Sequence, residues 1–308
     1  MRPDAWPQHC RALLVGSVKA AAKQFPGPGE QAAERVHNLR KTLKEARAVA
    51  RLFLGRFGEP ARVTVAALAV VRRRVGRARD LDVMESRLTR LALPGEIHKP
   101  LGEAIARERE AATRAQAGFG ASASRAQLNA IAKRLTAWDL SGVGADDIVE
   151  AVARSYRQAR RRGRMAFESH DPAALHALRS RVVDLRYQLA ALSPAWPAAL
   201  NAQAEELNEL RDSLGDFHDL AVLASFAGEH GGLTPEALAE LTQRLELKQK
   251  KLRRRARIEF DRLFAETSDA FADRLAAYLK RPMEKPDLRL PAEKPAATGP
   301  SAPRGPSA

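Results

Sequence analysis

Sliding this sequence along itself by 139 residues brings two separate blocks into register without a gap. Val36-His37-Asn38-Leu39-Arg40 falls on Leu175-His176-Ala177-Leu178-Arg179, and in the same register Glu45 and Arg47 fall on Asp184 and Arg186. Further along, Arg72 falls on Arg211, Gly76 on Gly215, and Asp80-Leu81-Asp82-Val83 on Asp219-Leu220-Ala221-Val222. Two blocks about 35 residues apart that share one offset are hard to ascribe to chance, so the chain reads as two homologous halves. These run roughly over 8–140 and 145–281, each a small helical bundle, with the joint at Gly142–Ala145.

Only 5% of the residues are aromatic while 45% are hydrophobic, and Ala, Leu, Arg and Glu dominate. That composition favours helices packed on helices, an all-α fold. The apolar period predicts helices over 8–24, 31–56, 61–91 with a weak point at Gly76, 96–117, 124–138, 145–167, 172–192, 198–228 with a weak point at Gly215, and 235–280. The breaks carry turn chemistry, as at Gly58-Glu59-Pro60, Ser141-Gly142-Val143-Gly144 and Asp171-Pro172. Thr234-Pro235-Glu236 is a helix start, with Thr as N-cap and Pro at the first helical position. From Pro282 to Ala308 the chain holds seven of its 18 prolines and no apolar period, which reads as a disordered tail beyond one 1–281 domain. The lone cysteine, Cys10, excludes an internal disulfide framework and a Cys-based zinc cage. No segment is apolar enough to span a bilayer and the N-terminus has no signal-peptide core, so a cytoplasmic protein is expected.

The chain carries 52 Lys+Arg against 37 Asp+Glu, a formal charge of +15, and the tail accounts for only +1 of it. The excess belongs to the folded body and points to a polyanion or an anionic surface. Much of it lies in stripes of one sign. On a helical wheel His37, Arg40, Lys41, Lys44, Arg47 and Arg51 fall within an arc of roughly 120°, opposite Leu39, Leu43, Ala46, Ala50 and Phe53. Like charges four apart destabilise a helix by a few tenths of a kcal/mol per pair, a repulsion an anionic ligand would relieve. The second copy keeps His176, Arg179 and Arg186, and ahead of it Arg154, Arg157, Arg161 and Arg164 form another stripe. Arg72 and Arg79 share a face, as do Arg211 and His218; Lys248, Lys251, Arg255 and Arg262 form a late stripe. Any one such stripe is more often solvated surface than site. His9, His98, His170 and His230 read as structural, Asp80 and Asp219 as helix caps or arginine partners, and the two glycines as points of helix relaxation or close packing.

Taken together, the four motifs in order resemble the CHAD family, the conserved histidine α-helical domain. Val36-His37-Asn38-Leu39-Arg40-Lys41 with its basic continuation is similar to the family's first signature. Val75-Gly76-Arg77-Ala78-Arg79-Asp80-Leu81-Asp82-Val83 is similar to its second, and the second half repeats both. The resemblance covers about residues 8–280. It implies two four-helix bundles related by pseudo-two-fold symmetry, a basic channel between them, inorganic polyphosphate as the ligand and association with polyphosphate granules. The residues it carries over are His37, Arg40, Lys41, Lys44, Arg47, Arg72, Arg79, His176, Arg179, Arg186, Arg211 and His218. The stripes add Arg51, Arg157, Arg161, Arg164, Lys248 and Lys251 as candidates. Ser180, Val183 and Ala190 stand opposite Lys41, Lys44 and Arg51, so the second half is the less basic. No Glu-x-Glu-x-Lys string of a triphosphate-tunnel domain is present, and the chain reads as a stand-alone member.

A linear polymer of phosphates suits long one-signed stripes, because Arg offers forked donors to phosphate oxygens and Lys a point charge. The alternative is a nucleic-acid-binding or other polyanion-binding protein, although no helix-turn-helix signature or aromatic stacking platform accompanies the charge. A metal-dependent phosphohydrolase, raised by His218-Asp219, is the weaker rival: the pocket is too cationic and lacks paired His and carboxylate ligands. No catalytic residue, metal ligand or cofactor is expected.

Overall fold

The computed structural model describes residues 5–25, 32–75, 77–117, 121–169 and 171–280, and among them all regular structure is helical. The order is α1 (Trp6–Lys23), α2 (Ala32–Ala50), α3 (Leu54–Phe57), α4 (Glu59–Arg74), α5 (Arg77–Arg90), α6 (Gly95–Ala117), α7 (Ala121–Thr136), α8 (Ala145–Glu168), α9 (Pro172–Ala191), α10 (Pro197–His230), α11 (Pro235–Leu263) and α12 (Ser268–Leu279). No described helix is long and apolar enough to cross a membrane. The tail from Pro282 and the glycine at 76 lie outside the described residues.

Local chemistry sets most boundaries. Asp171 caps α9 by accepting from the Ala173 N–H at 2.9 Å, and Thr234 caps α11 by accepting from Ala237 at 3.3 Å. The Asp139 carboxylate accepts from the backbone and hydroxyl of Ser141 before Gly142 turns the chain at φ +70°. One expectation differs from the structure. The 235–280 segment is two helices: α11 ends at Leu263, and Thr267 starts α12 by accepting from Ala270 at 3.2 Å. The expected 198–228 helix is α10, which runs unbroken through Gly215.

The break after α11 is held by α8, which crosses it antiparallel. Arg160 of α8 donates to the Phe264 carbonyl at 3.0 Å, and Arg253 of α11 donates to the Phe167 carbonyl at 2.8 Å. Each helix thus caps the C-terminal carbonyls of the other. Between these bonds Gly163 lets the buried Phe260 ring press onto the α8 backbone, where a Cβ would lie 2.0 Å from its Cε2.

The buried side chains form two clusters. The larger takes α1, α2, α4, α7, α8, α9, α12, the start of α10 and the end of α11. The smaller takes α5, α6, the end of α10 and the start of α11. Each draws on residues from both sides of Gly142. The 34-residue α10, about 51 Å long at 1.5 Å per residue, passes from one to the other, with Leu214 and Phe217 in the first and Leu220 and Leu223 in the second. At the centre α9 packs on α2, α8 and α10, and nearly every residue from Val182 to Leu192 is buried. The buried Gln188 amide there donates to the Ala48 carbonyl of α2 at 3.0 Å.

Candidate functional site

Where α10 changes cores, cations from four helices converge. Lys44 of α2 lies partly buried beside Arg40 of its own helix, Arg72 of α4, Arg179 of α9 and Arg211 of α10. Burial, then the repulsion of Arg179, Arg40, Arg211 and Arg72, lowers its pKa to about 7. Burial also lowers the pKa of Arg72 and Arg179, the former further through Arg47 and Arg40. The Nε atoms of Arg47, Arg72 and Arg179 are buried without a hydrogen-bond partner among the described residues. Such donors are rare in a folded interior and mark a place built to meet an acceptor.

Two histidines flank the cluster. His176 of α9 and His218 of α10 lie with ring centroids 4.3 Å apart at 40°. Burial lowers both pKa values; Arg179 and Arg72 lower that of His176 further, and His176 and Arg179 that of His218, against an opposing pull from Asp219.

Carboxylates sit at the margin and hold the arginines in place. Arg40 donates to Asp80 at 2.8 Å. Arg179 and Asp219, the same pair one repeat later, attract each other as well. Arg211 pairs with Asp212, and Arg87 of α5 bridges Asp216 and Asp219 of α10. Arg87 has no equivalent in the repeat, since Phe226 stands in the matching position, and neither stripe nor repeat singles it out. Gly215 completes the arrangement. A Cβ there would lie 3.2 Å from Arg179 Nη2 and 3.3 Å from Nε, so the glycine makes room for the guanidinium rather than breaking the helix.

The structure places the other candidates elsewhere. Arg51 and Arg181 both reach Asp184, at 3.2 and 3.3 Å, and that carboxylate is almost wholly buried. Arg186 is buried with its guanidinium 4.9 Å from the Tyr187 ring centroid. His37 and Lys41 lie on α2 at the more open end of its stripe. Arg157 pairs with Glu150 at 3.3 Å, and Arg161 and Arg164 are exposed on α8, Arg164 acting on Tyr156 at the α11–α12 corner. Lys248 and Lys251 are exposed on either side of Gln249, whose amide donates to the Phe217 carbonyl at 3.4 Å. The Arg79 side chain and His170 lie outside the described residues. His9 is buried, 2.9 Å from the Ala191 carbonyl. Among the described residues no group of three or more His, Cys, Asp or Glu side chains is arranged to hold a metal ion.

The arrangement is therefore a deep cationic cluster with marginal carboxylates and a histidine pair, chemistry suited to binding an anion that carries many charges. Over residues 12–228, which include every member of the Lys44 cluster, the chain matches the family model described as CHAD domain. No curated protein sequence matches it. Among solved structures, the crystal structure of the CHAD domain from the plant Ricinus communis aligns with a TM-score of 0.53 at 19% identity, covering 94% of this chain and 96% of that one. At that identity the likeness is one of fold.

Proposed function

The chain belongs to the CHAD domain family, and from that premise we propose that it binds inorganic polyphosphate through the cationic cluster of α2, α4, α9 and α10. The observation that carries this reading is Lys44, held among four arginines deeply enough to bring its pKa to about 7. An unliganded protein maintains that repulsion at a loss in stability; a chain of phosphates entering the cluster reverses its sign and supplies acceptors to the buried Nε atoms. The Arg40–Asp80 and Arg179–Asp219 pairs support the further reading of two homologous halves that meet at the cluster, although both cores draw on each half. The protein acts there as a binding module that retains polyphosphate rather than hydrolysing it, in the cytoplasm and at polyphosphate granules.

Titration with long-chain polyphosphate tests this directly. Binding is expected to weaken steeply with salt as counterions are released. Duplex DNA at equal phosphate concentration is expected not to displace the polymer; displacement would make this a general polyanion site. Phosphate release in the presence of Mg²⁺ or Mn²⁺ would overturn the non-enzymatic reading. A fluorescent fusion that failed to collect on granules would remove the localisation.

Gly215→Ala separates the geometry of the cluster from its charge. The substitution favours the helix by roughly 1 kcal/mol while its methyl pushes Arg179 off its position. Affinity should fall roughly threefold to tenfold, the equivalent of forcing one side chain off its rotamer, with no loss of thermal stability. Unchanged affinity would show that Arg179 is not held where binding needs it.

A further inference from the structure

A second cationic surface lies away from the Lys44 cluster. Two hollows of about 720 and 480 Å³ adjoin along the seam between α1 and α7 and share Lys19 and Asn129. Lys23, Arg35 and Arg125 line the first and Lys133 the second, and no described carboxylate lines either. The absence of acids is built into the helices: α1 and α7, of 18 and 16 residues, contain no Asp or Glu, in a chain with 37 of them. On α11, by contrast, Arg244, Arg255 and Arg257 are each paired one turn away, with Glu240, Glu259 and Asp261. The five seam cations form no ion pair with a described residue.

The seam is not an extension of the first cluster. Arg35 stands on α2 about 180° around the helix from Lys44, so that helix separates the two surfaces. The exposed lining offers Ala, Thr and Asn but no aromatic or branched apolar side chain, and its one ring, Phe25, is buried. A peptide would lack anchors there and a nucleic acid a platform for its bases. Three lysine point charges, two arginine forks and one amide donor along an open trough fit an extended chain of phosphates.

We propose that the α1/α7 seam is a second polyphosphate site, so that one protein molecule holds two separate stretches of polymer; this rests on the polyphosphate reading of the first cluster. The protein is thereby a bridge, since a second stretch of the same polymer is held at an effective concentration set by the loop between the sites.

Calorimetric titration of the full chain with polyphosphate too short to reach both surfaces tests the proposal. Two equivalents per protein are expected for wild type, one for Lys19→Gln/Lys23→Gln/Arg125→Gln/Lys133→Gln, and one, the weaker, for Lys44→Met/Arg179→Gln. One equivalent in wild type, or two in the seam variant, would overturn it. If wild type binds none, or the cluster variant loses nothing, the reading of the first cluster fails instead. A second readout avoids any change in fold: wild-type protein held on bead-linked polyphosphate should capture fluorescent polyphosphate from solution, and failure to do so overturns the bridge. Displacement of the seam-bound chain by duplex DNA at equal phosphate would make the seam a nucleic-acid surface and overturn the proposal too.

Discussion

Lys44→Met should make the unliganded protein more stable and the polyphosphate complex weaker. Met keeps most of the length and apolar stem of Lys while removing a charge that burial and four arginines oppose. At pH 6 the melting temperature should rise, by about 2–4 °C for each kcal/mol of repulsion removed. The pH dependence has a definite sign. In the unfolded chain a lysine stays protonated to about 10.4, whereas in the folded protein Lys44 loses its proton near 7. Between these values the unfolded state binds more protons, so the Lys44 contribution makes wild type more stable as pH rises through that window. The advantage of the variant is therefore largest below pH 7 and shrinks above it. Binding should fall by about tenfold to a hundredfold, the range for losing one hydrogen bond to a charged group. A lower melting temperature at pH 6, or unchanged affinity, would contradict this account of the cluster.

The same lysine should set the pH profile of binding. A phosphate chain raises the pKa of every cation it touches, so complex formation above pH 7 takes up a proton at Lys44. Affinity should rise as pH falls toward 7, and the His176–His218 pair, whose pKa values in the free protein lie below the usual 6.5, should extend the rise below it. Proton uptake at pH 8, measured in buffers of different ionisation enthalpy, should disappear in Lys44→Arg. The rise below pH 7 should flatten in His176→Ala.

Gly163→Ala should be strongly destabilising. The new Cβ would lie 2.0 and 2.2 Å from two carbons of the Phe260 ring, which Phe167 and Phe264 flank with centroids 5.4 and 4.8 Å away. Helix α8 must back away from α11, loosening the reciprocal bonds from Arg160 and Arg253. A loss of about 3 kcal/mol is expected, at the upper end for overpacking and beyond the roughly 1 kcal/mol that Ala gains over Gly in a helix. Combining it with Phe260→Leu should recover part of the loss in a double-mutant cycle. Additive effects would mean that the two residues do not share this space.

Much of this was legible in the sequence because two kinds of regularity mark it. Helical spacing placed Arg40, Lys44 and Arg47 on one stripe, and the repeat singled out His176, Arg179, Arg211 and His218, all residues that meet or flank the cluster. What spacing leaves out is depth. Arg51 and Arg186 share the right stripes, yet one reaches a buried carboxylate and the other stacks on a tyrosine. Four arginines recur along α8, but Arg160, just off their stripe, is the one that closes another helix. Arg87 carries no mark in the sequence because it has no repeat partner, and the seam cations none because they are divided among three helices, at most two to a helix. Sequence alone leaves Gly215 between helix relaxation and close packing; the structure shows the second, its missing side chain belonging to the space of Arg179.

The long passage of α10 and α11 through both cores has a consequence for synthesis. Leu81, Leu88 and Ile105 emerge early from the ribosome, but the apolar residues that cover them, Leu220, Leu223, Leu241 and Leu245, come more than a hundred positions later. Their faces stay open to water, and to chaperones, through much of translation, and close only when the last third of the protein arrives.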